Sequence, residues 1–298
     1  MQSIHRTVLL NETIENLNLK EKSIVLDATF GGGGHSLEIC NRYPDVRIIA
    51  IDEDKGAWEK AKAKFLNSDC QISFLNVNFR DLDKALKGEE IKEVNAIIFD
   101  LGLSSDQLES SGRGFSFMKD EPLFMTMKEN PLPEDLTAGD IVNNWSEKSL
   151  ADIIYGYGEE RFSRRIAKGI VESRAKKEIE TSFELVEIIR NSVPAVYRRG
   201  RLHFATKTFQ ALRIAVNDEL GALSLGLEKG FDVLKKNGRM AVISFHSLED
   251  RVVKRFYKDK EKKRLGILIN KKIIKASEEE IKNNPRSRSA KLRILEKI

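Results

Sequence analysis

Asp27-Ala-Thr-Phe-Gly-Gly-Gly-Gly-His-Ser36 follows directly on the apolar run Ile24-Val25-Leu26. A short apolar run predicts a buried strand, and four consecutive glycines predict a tight turn that a ligand can approach closely. The residues after the glycines have the composition of a helix. A strand, a glycine-rich loop and a helix are typical of the site for a nucleoside-containing cofactor in an open α/β sheet.

Working outward, short apolar runs with little polar alternation recur along the chain, as expected for parallel strands that are covered on both faces. The predicted strands are Ile24–Ala28, Arg47–Ile51, Ile72–Val77, Ala96–Leu101 and Arg239–Phe245, with an alternating, half-exposed strand within Arg286–Lys297. Segments of helical type separate the first four: Gly34–Tyr43, Lys55–Asn67 and Arg80–Lys87. This alternation predicts a doubly wound α/β domain.

The alternation then stops for more than 100 residues, in which no convincing strand occurs. Lys148–Ala175 and Thr206–Leu227 have helical periodicity, and Thr181-Ser-Phe-Glu184 is a capping box that opens another helix. We therefore predict an all-helical domain inserted after the fourth strand. The predicted domains are residues 1–106, the first part of the α/β domain, residues 107–205, the insert, and residues 206–298, the second part with a basic end.

Composition narrows the class of protein. The chain has 298 residues, of which 41% are hydrophobic, and no stretch approaches the roughly 20 apolar residues of a membrane helix. The first residues lack the apolar stretch of a secretory signal. The two cysteines, Cys40 and Cys70, have no CxxC spacing, so we expect a cytoplasmic protein without disulfides or a zinc site.

Positive charge is concentrated at the end of the chain. Arg251–Ile298 holds 17 of the 51 Lys and Arg residues and 6 of the 46 Asp and Glu residues. Such a segment is either a solvated surface or a patch that faces a polyanion such as RNA.

The strand ends indicate which cofactor is bound. Asp27, Asp52, Phe79 and Asp100 follow successive strands, and ligands of open α/β sheets bind beyond the carboxyl ends of the strands. An acid at position 52 suits the ribose hydroxyls of NAD and of S-adenosylmethionine. Asp27 favours S-adenosylmethionine, because a carboxylate there repels a pyrophosphate and attracts a sulfonium and an ammonium group. A tight turn without any ligand remains the alternative.

Several longer motifs together carry a resemblance to one family. They are DATFGGGGHS (27–36), DLGLSSDQL (100–108), RGFSF (113–117), YGEER (157–161), TFQALRIAVNDEL (208–220), ISFHSLEDRVVK (243–254) and NPRSRSAKLR (284–293). The chain resembles bacterial small-subunit ribosomal RNA (cytosine-N4)-methyltransferases of the MraW type, from His5 nearly to the C-terminus. It departs from the family pattern at Phe124 and Thr126, where the family has Asp and Arg, and at Phe204, where the family has Pro.

The resemblance implies a class I methyltransferase fold with an inserted helical domain. It implies methyl transfer from S-adenosyl-L-methionine to the exocyclic amine of one cytidine in the decoding region of small-subunit (16S) ribosomal RNA, in an assembled subunit. The cofactor contacts that carry over are Gly33, Gly34, His35, Asp52, Phe79, Asp100 and Gln107. The protein is expected to be a monomer or a homodimer.

Catalysis of this reaction depends on positioning a weak amine nucleophile and accepting hydrogen bonds from its N–H groups. Asp100 and Ser104, in the loop after the fourth predicted strand, are the candidate catalytic residues; the alternative for Ser104 and Ser105 is loop capping. Neither cysteine follows a cofactor strand, so cysteine-dependent methylation at carbon 5 is excluded. The four histidines lack the spacing of metal ligands, and we expect no metal. A ribosome-assembly factor without activity and an NAD-dependent enzyme are the alternative functions.

Overall fold

The computed structural model describes residues 7–66, 68, 70–104, 107–108 and 111–298. The chain folds as two compact units. We call Met1–Ser104 with Leu220–Ile298 the sheet unit, and Ser105–Glu219 the helical unit.

The sheet unit is built on seven strands in the order β3-β2-β1-β4-β5-β7-β6. Their bounds are β1 Ile24–Asp27, β2 Arg47–Ile51, β3 Gln71–Leu75, β4 Val94–Asp100, β5 Leu234–Ser244, β6 Gly266–Leu268 and β7 Lys291–Lys297. The pairs from β3 to β5 are parallel, and β7 runs antiparallel to β5 and β6. The order changes direction beside β1, from which β2 and β4 lie on opposite sides. The predicted α/β fold of a class I methyltransferase is confirmed.

Helices cover both faces of this sheet, which explains why its strands are apolar without alternation. Along β2, Ile48 and Ala50 belong to one buried cluster, and Ile49 and Ile51 belong to the other. The helices of this unit are Leu10–Asn16, Gly34–Arg42, Lys55–Lys62, Leu82–Gly88, Glu219–Val233, Ser247–Lys262 and Glu278–Asn283, with 3-10 turns at Ala63–Phe65, Phe79–Asp81 and Pro285–Ser289.

The described part of the helical unit contains six helices, which are Ala138–Asn144, Glu147–Gly156, Ser163–Arg174, Ser182–Ser192, Ala195–Arg198 and Thr206–Asn217. A capping box of Thr137 and Asp140 begins the first of these helices, and a capping box of Thr181 and Glu184 begins the fourth. The Thr181–Glu184 capping box was predicted from the sequence. An isolated antiparallel bridge joins Pro122 to Thr181.

Two predicted helices are interrupted. The segment Lys148–Ala175 is split at Tyr157–Phe162, where Glu159 has a φ of 50°. The segment Thr206–Leu227 is split at Asp218, which has a φ of 47°. Aspartate tolerates this left-handed conformation because its short polar side chain bonds locally. The Thr206–Asn217 helix packs on helices of the helical unit. The division between the two compact units falls after Glu219, whereas the second part of the predicted α/β domain begins at residue 206.

Cys40 and Cys70 form a disulfide, so the expectation that the chain has none was wrong. Cys40 lies on the Gly34–Arg42 helix and Cys70 immediately precedes β3, and both are buried in the same cluster. Their Cα atoms are 5.3 Å apart, a distance that only the folded chain reveals because 30 residues separate them. Among the described residues, no helix is long and apolar enough to cross a membrane.

Candidate active site

The glycine loop joins β1 to the Gly34–Arg42 helix. Gly31 and Gly33 have φ values of 50° and 72°, in the left-handed region that favours glycine. A Cβ on Gly33 would lie 2.5 Å from Phe30 Cζ, so space as well as conformation requires glycine there. The loop is closed by the Gly33 N–H, which donates to the Phe30 carbonyl at 2.8 Å. These features fix the conformation of the loop at the carboxyl end of β1.

Asp27 and Asp52 fix the loop from the ends of β1 and β2. The Ser36 hydroxyl donates to Asp27 Oδ2 at 2.6 Å, which ties β1 to the first turn of the following helix. Asp52 accepts the N–H of Gly31 at 2.6 Å on one oxygen and that of Asp54 at 2.8 Å on the other. Burial raises the pKa of Asp27 to about 6 and that of Asp52 to about 7, against the lowering effect of these hydrogen bonds.

Asp100 ends β4 and contributes a third carboxyl group. Its backbone N–H donates to the Thr29 hydroxyl at 2.6 Å, and His35 Nδ1 lies 3.7 Å from its Oδ2. Its Oδ1 is buried and has no hydrogen-bond partner among the described residues. Burial, with smaller contributions from the charges of Asp27 and Glu249, raises the pKa of Asp100 to about 8.

The three carboxyl groups lie at the ends of the neighbouring strands β2, β1 and β4. The charge of Asp27 raises the pKa of both Asp52 and Asp100, so ionising one group opposes ionisation of the others. A ligand with positive charge relieves this repulsion, whereas a pyrophosphate increases it. The Asp100 oxygen that has no hydrogen-bond partner among the described residues, together with the other two carboxyl groups, therefore fits a cationic nucleoside cofactor.

A profile described as the MraW methylase family matches residues 2–298. The chain belongs to this family. It is 46% identical over 295 residues to "Ribosomal RNA small subunit methyltransferase H" of Persephonella marina, covering 99% of each chain. The protein of the same name from Sulfurihydrogenibium sp. is 46% identical over 294 residues, again covering 99% of each chain. Among solved structures, an rRNA methylase from Streptococcus thermophilus matches with 12% identity and a TM-score of 0.44, over 96% of this chain and 93% of that one.

A member of the MraW methylase family uses S-adenosyl-L-methionine, as predicted. When bound, the cofactor supplies a methyl group made electrophilic by the positive sulfur. Gly33, Gly34 and His35 lie where the loop enters its helix, and Asp52 and Asp100 lie on either side of them. The sheet unit thus brings together five of the seven residues predicted to hold the cofactor.

The remaining predicted site residues are Phe79 and Ser104 in the sheet unit and Gln107 in the helical unit. The half-buried Phe79 ring stacks edge-on against Phe99 with 5.7 Å between centroids, in the 3-10 turn that follows β3. A Cβ built on Gly31 would lie 4.0 Å from Ser104 Cβ, so Ser104 lies beside the glycine loop. Gln107 lies in the helical unit, where it is buried and its carbonyl accepts the Ser111 hydroxyl at 2.6 Å. Ser105 lies outside the described residues.

Three supporting residues were missed by sequence reasoning. Thr29 and Ser36 bond the Asp100 backbone and the Asp27 side chain, and both lie inside the first motif. Glu249 is buried and accepts the N–H groups of Phe245 at 2.8 Å and His246 at 3.2 Å. His246 in turn caps the Ser247–Lys262 helix in a capping box with Glu249, a signal that the His-Ser-Leu-Glu spacing contained.

Proposed function

We propose that the protein transfers a methyl group from S-adenosyl-L-methionine to the exocyclic N4 amine of one cytidine in the decoding region of small-subunit (16S) ribosomal RNA. The curated relatives' name supports a small-subunit ribosomal RNA as substrate. The choice of an amine rests on one observation. Asp100 Oδ1, at the end of β4, is buried and has no hydrogen-bond partner among the described residues. We place the activity in the cytoplasm, where small subunits are assembled.

The chemistry requires little from the protein beyond position and one acceptor. The lone pair of the N4 amine is delocalised into the ring, so an acceptor of its N–H groups increases its nucleophilicity. Asp100 is the acceptor that we assign, and Ser104 is the second candidate. When bound, the cofactor would supply the methyl group with its sulfur as the leaving group, and Asp100, Ser104 or water would take up the proton that the amine loses. Holding the reactants in line supplies up to about 7–11 kcal/mol in ideal cases.

The state of the cysteines supports this reaction over methylation at carbon 5. That alternative needs a thiolate nucleophile. The chain has two cysteines, and both are consumed in the Cys40–Cys70 disulfide, away from the strand ends that hold the acids. Neither cysteine therefore lies at a strand end that carries one of these acids.

The helical unit contributes aromatic side chains in motifs that resemble the family's. Phe115 is buried, with the Arg113 guanidinium 5.5 Å from its ring, so it serves the core of this unit. Phe117 is half-buried and stacks on His203 at 4.4 Å between centroids with an interplanar angle of 3°. We assign to Phe117, and not to Phe115, the stacking on an unstacked base. The departure at Thr126 is a structural one, because this side chain is buried and accepts the Lys128 N–H at 3.3 Å.

Several basic residues of the C-terminal segment form ion pairs or hydrogen bonds within the fold. Lys260 pairs with Glu228 at 2.8 Å, Arg293 pairs with Asp250 at 2.8 Å, and Lys297 donates to the Phe231 carbonyl at 2.8 Å. Arg286 and Arg288 are exposed in the Pro285–Ser289 turn and Lys291 follows it, and we assign these three residues as candidates for phosphate contacts.

The test is to incubate the protein with isotopically labelled cofactor and small subunits that lack the modification, and to identify the product nucleoside by mass spectrometry. We expect N4-methylated cytidine at one position. Asp100→Asn should abolish transfer while the variant still folds. Asp83→Asn, on the surface of the same unit where it pairs with Lys229, is the matched control and should keep wild-type activity. Near-normal transfer by Asp100→Asn, or a label on carbon 5, contradicts the proposal.

A further inference from the structure

A buried glutamate fastens two segments of the helical unit together. Glu160 is fully buried and accepts the Tyr197 hydroxyl and the Phe162 N–H, the latter at 2.8 Å. The Phe162 and Tyr197 rings meet edge-to-face with 5.0 Å between centroids. The start of the Ser163–Arg174 helix is thereby held against the Ala195–Arg198 helix. Nothing in the transfer chemistry uses this arrangement.

The fastened segments carry a set of exposed arginines, which we call the arginine surface: Arg161, Arg164, Arg165, Arg198, Arg199 and Arg201. The Arg161 guanidinium lies 4.7 Å from the centroid of Phe162 and 5.2 Å from that of Tyr197. Arg165 lies 5.9 Å from the Phe162 ring. Arginine stacks on aromatic rings through its flat face, which leaves its N–H groups directed outward to bond another group.

These arginines differ from several other surface cations of the same unit, which are paired with acids. Within the described residues, none of the six forms an ion pair with an acidic side chain. By contrast, Lys148 pairs with Asp152 at 2.9 Å, Lys177 with Glu184 at 2.6 Å and Arg190 with Glu187 at 3.2 Å. Residues 194–202 contain three arginines and no acid. The surface is therefore a concentration of positive charge that the folded unit leaves without counter-charge.

We propose that the arginine surface docks the sugar-phosphate backbone of the substrate RNA. The inference rests on the proposed function for the identity of the RNA. Planar guanidinium groups bind phosphate oxygens with two parallel N–H donors, and unneutralised arginines gain most from a polyanion. Phosphate contacts set register and orientation without reading sequence, so the surface positions the RNA and the bases are read elsewhere.

The experiment measures binding of the full-length protein to unmodified small subunits and to deproteinised small-subunit RNA as a function of salt. The test variant is Arg198→Ala/Arg199→Ala/Arg201→Ala, whose positions are exposed and do not touch Glu160 or the rings. The matched control is Lys148→Ala/Lys177→Ala/Arg190→Ala, which removes the same charge from ion-paired positions of the same unit. A third variant with lysine at positions 198, 199 and 201 keeps the charge.

If each of the three arginines contacts one phosphate, the slope of log Kd against log salt falls by about 2–3, and binding at about 0.15 M salt weakens roughly 50- to 150-fold. The control keeps the wild-type slope, and the lysine variant keeps most of it. With methylation as readout, KM for the subunit rises and kcat at saturation stays unchanged. Cofactor affinity, measured by calorimetry, is unaffected.

An unchanged slope in the alanine variant, or an equal loss in the control, overturns the proposal. Weakened binding to subunits with unchanged binding to bare RNA also overturns it, because a ribosomal protein is then the partner. Binding is measured without methyl transfer, so the two proposals fail separately. A wild-type product other than N4-methylcytidine refutes the proposed function and leaves the arginine surface standing, provided that the alanine variant loses its slope.

Discussion

Replacing Asp52 by asparagine is expected to stabilise the ligand-free protein at pH 8 and to weaken its binding of S-adenosylmethionine. Burial raises the pKa of Asp52 from 3.8 to about 7. A shift of about 3 units means that keeping the group ionised in the folded protein costs about 4 kcal/mol. Asparagine keeps one acceptor oxygen and loses the other, so one of the N–H groups of Gly31 and Asp54 loses its acceptor, which costs about 1–2 kcal/mol. The expected net gain at pH 8 is about 2–3 kcal/mol.

The direction in which stability changes with pH follows from the linkage between folding and protonation of Asp52. The folded-state pKa of Asp52 lies above the unfolded value, so its contribution to stability is fully present below about pH 4 and is lost as the pH rises through about 7. Asparagine does not titrate. The variant therefore gains over wild type as the pH rises from 4.5 to 8. At pH 4.5 the unfolded carboxyl group is already largely ionised, so the wild type has lost about 1 kcal/mol, which roughly offsets the cost of the lost acceptor in the variant.

The assay is chemical denaturation of the ligand-free proteins at pH 4.5 and pH 8, with calorimetry of cofactor binding at pH 8. Asp83→Asn is the control, because the pKa of Asp83 is shifted in the opposite direction from that of Asp52. Burial acts to raise the pKa of Asp83, but the hydrogen bond and charge of Lys229 lower it overall, so its replacement should give no gain at pH 8. The reasoning is refuted if Asp52→Asn shows the same stability relative to wild type at both pH values, or if it binds the cofactor as tightly as wild type.

Further consequences concern Asp100 and the glycine loop. Burial raises the pKa of Asp100 to about 8 in the ligand-free protein, and a bound cationic cofactor lowers it, so cofactor affinity should rise with pH from 6 to 8. A pH-independent affinity in calorimetry argues against ionised Asp100 as a partner of the cofactor. Gly31→Ala and Gly33→Ala both incur the left-handed cost of roughly 1–2 kcal/mol, but only Gly33→Ala also meets the Phe30 ring, so it should lose more unfolding free energy; equal losses contradict the packing. A Cβ on Gly34 would meet the Thr7 hydroxyl, so Thr7→Ala should restore part of the stability that Gly34→Ala loses, and simple additivity in a double-mutant cycle counts against that contact.

The central strands and the acids at their ends could be predicted from the sequence because their signals are local. A parallel strand covered on both faces is an apolar run, and β2 has the predicted bounds of Arg47–Ile51. The acids come directly after such runs, and parallel strands bring their carboxyl ends to the same edge. Asp27, Asp52 and Asp100 were therefore found without any knowledge of the strand order.

What the sequence did not reveal depends on single residues or on distant contacts. The helix after Thr206 ends at Asn217 because Asp218 adopts a left-handed conformation, which the apolar periodicity on either side conceals. Strand β6 has only three residues, Gly266–Leu268, and it forms by antiparallel pairing with β7. The Cys40–Cys70 pair depends on how the Gly34–Arg42 helix meets the start of β3.

The same burial that destabilises the ligand-free sheet edge accounts for its choice of ligand. Burial is the main cause of the raised pKa of Asp27, Asp52 and Asp100, and among the described residues no lysine or arginine contributes to these three shifts. A positively charged ligand supplies the missing counter-charge, and it gains more from buried carboxylates than from solvated ones because the local dielectric is low. Fixed lysine or arginine partners at these positions would stabilise the empty protein and remove that gain. The cost in stability and the preference for a cationic cofactor are thus two consequences of one arrangement of carboxyl groups.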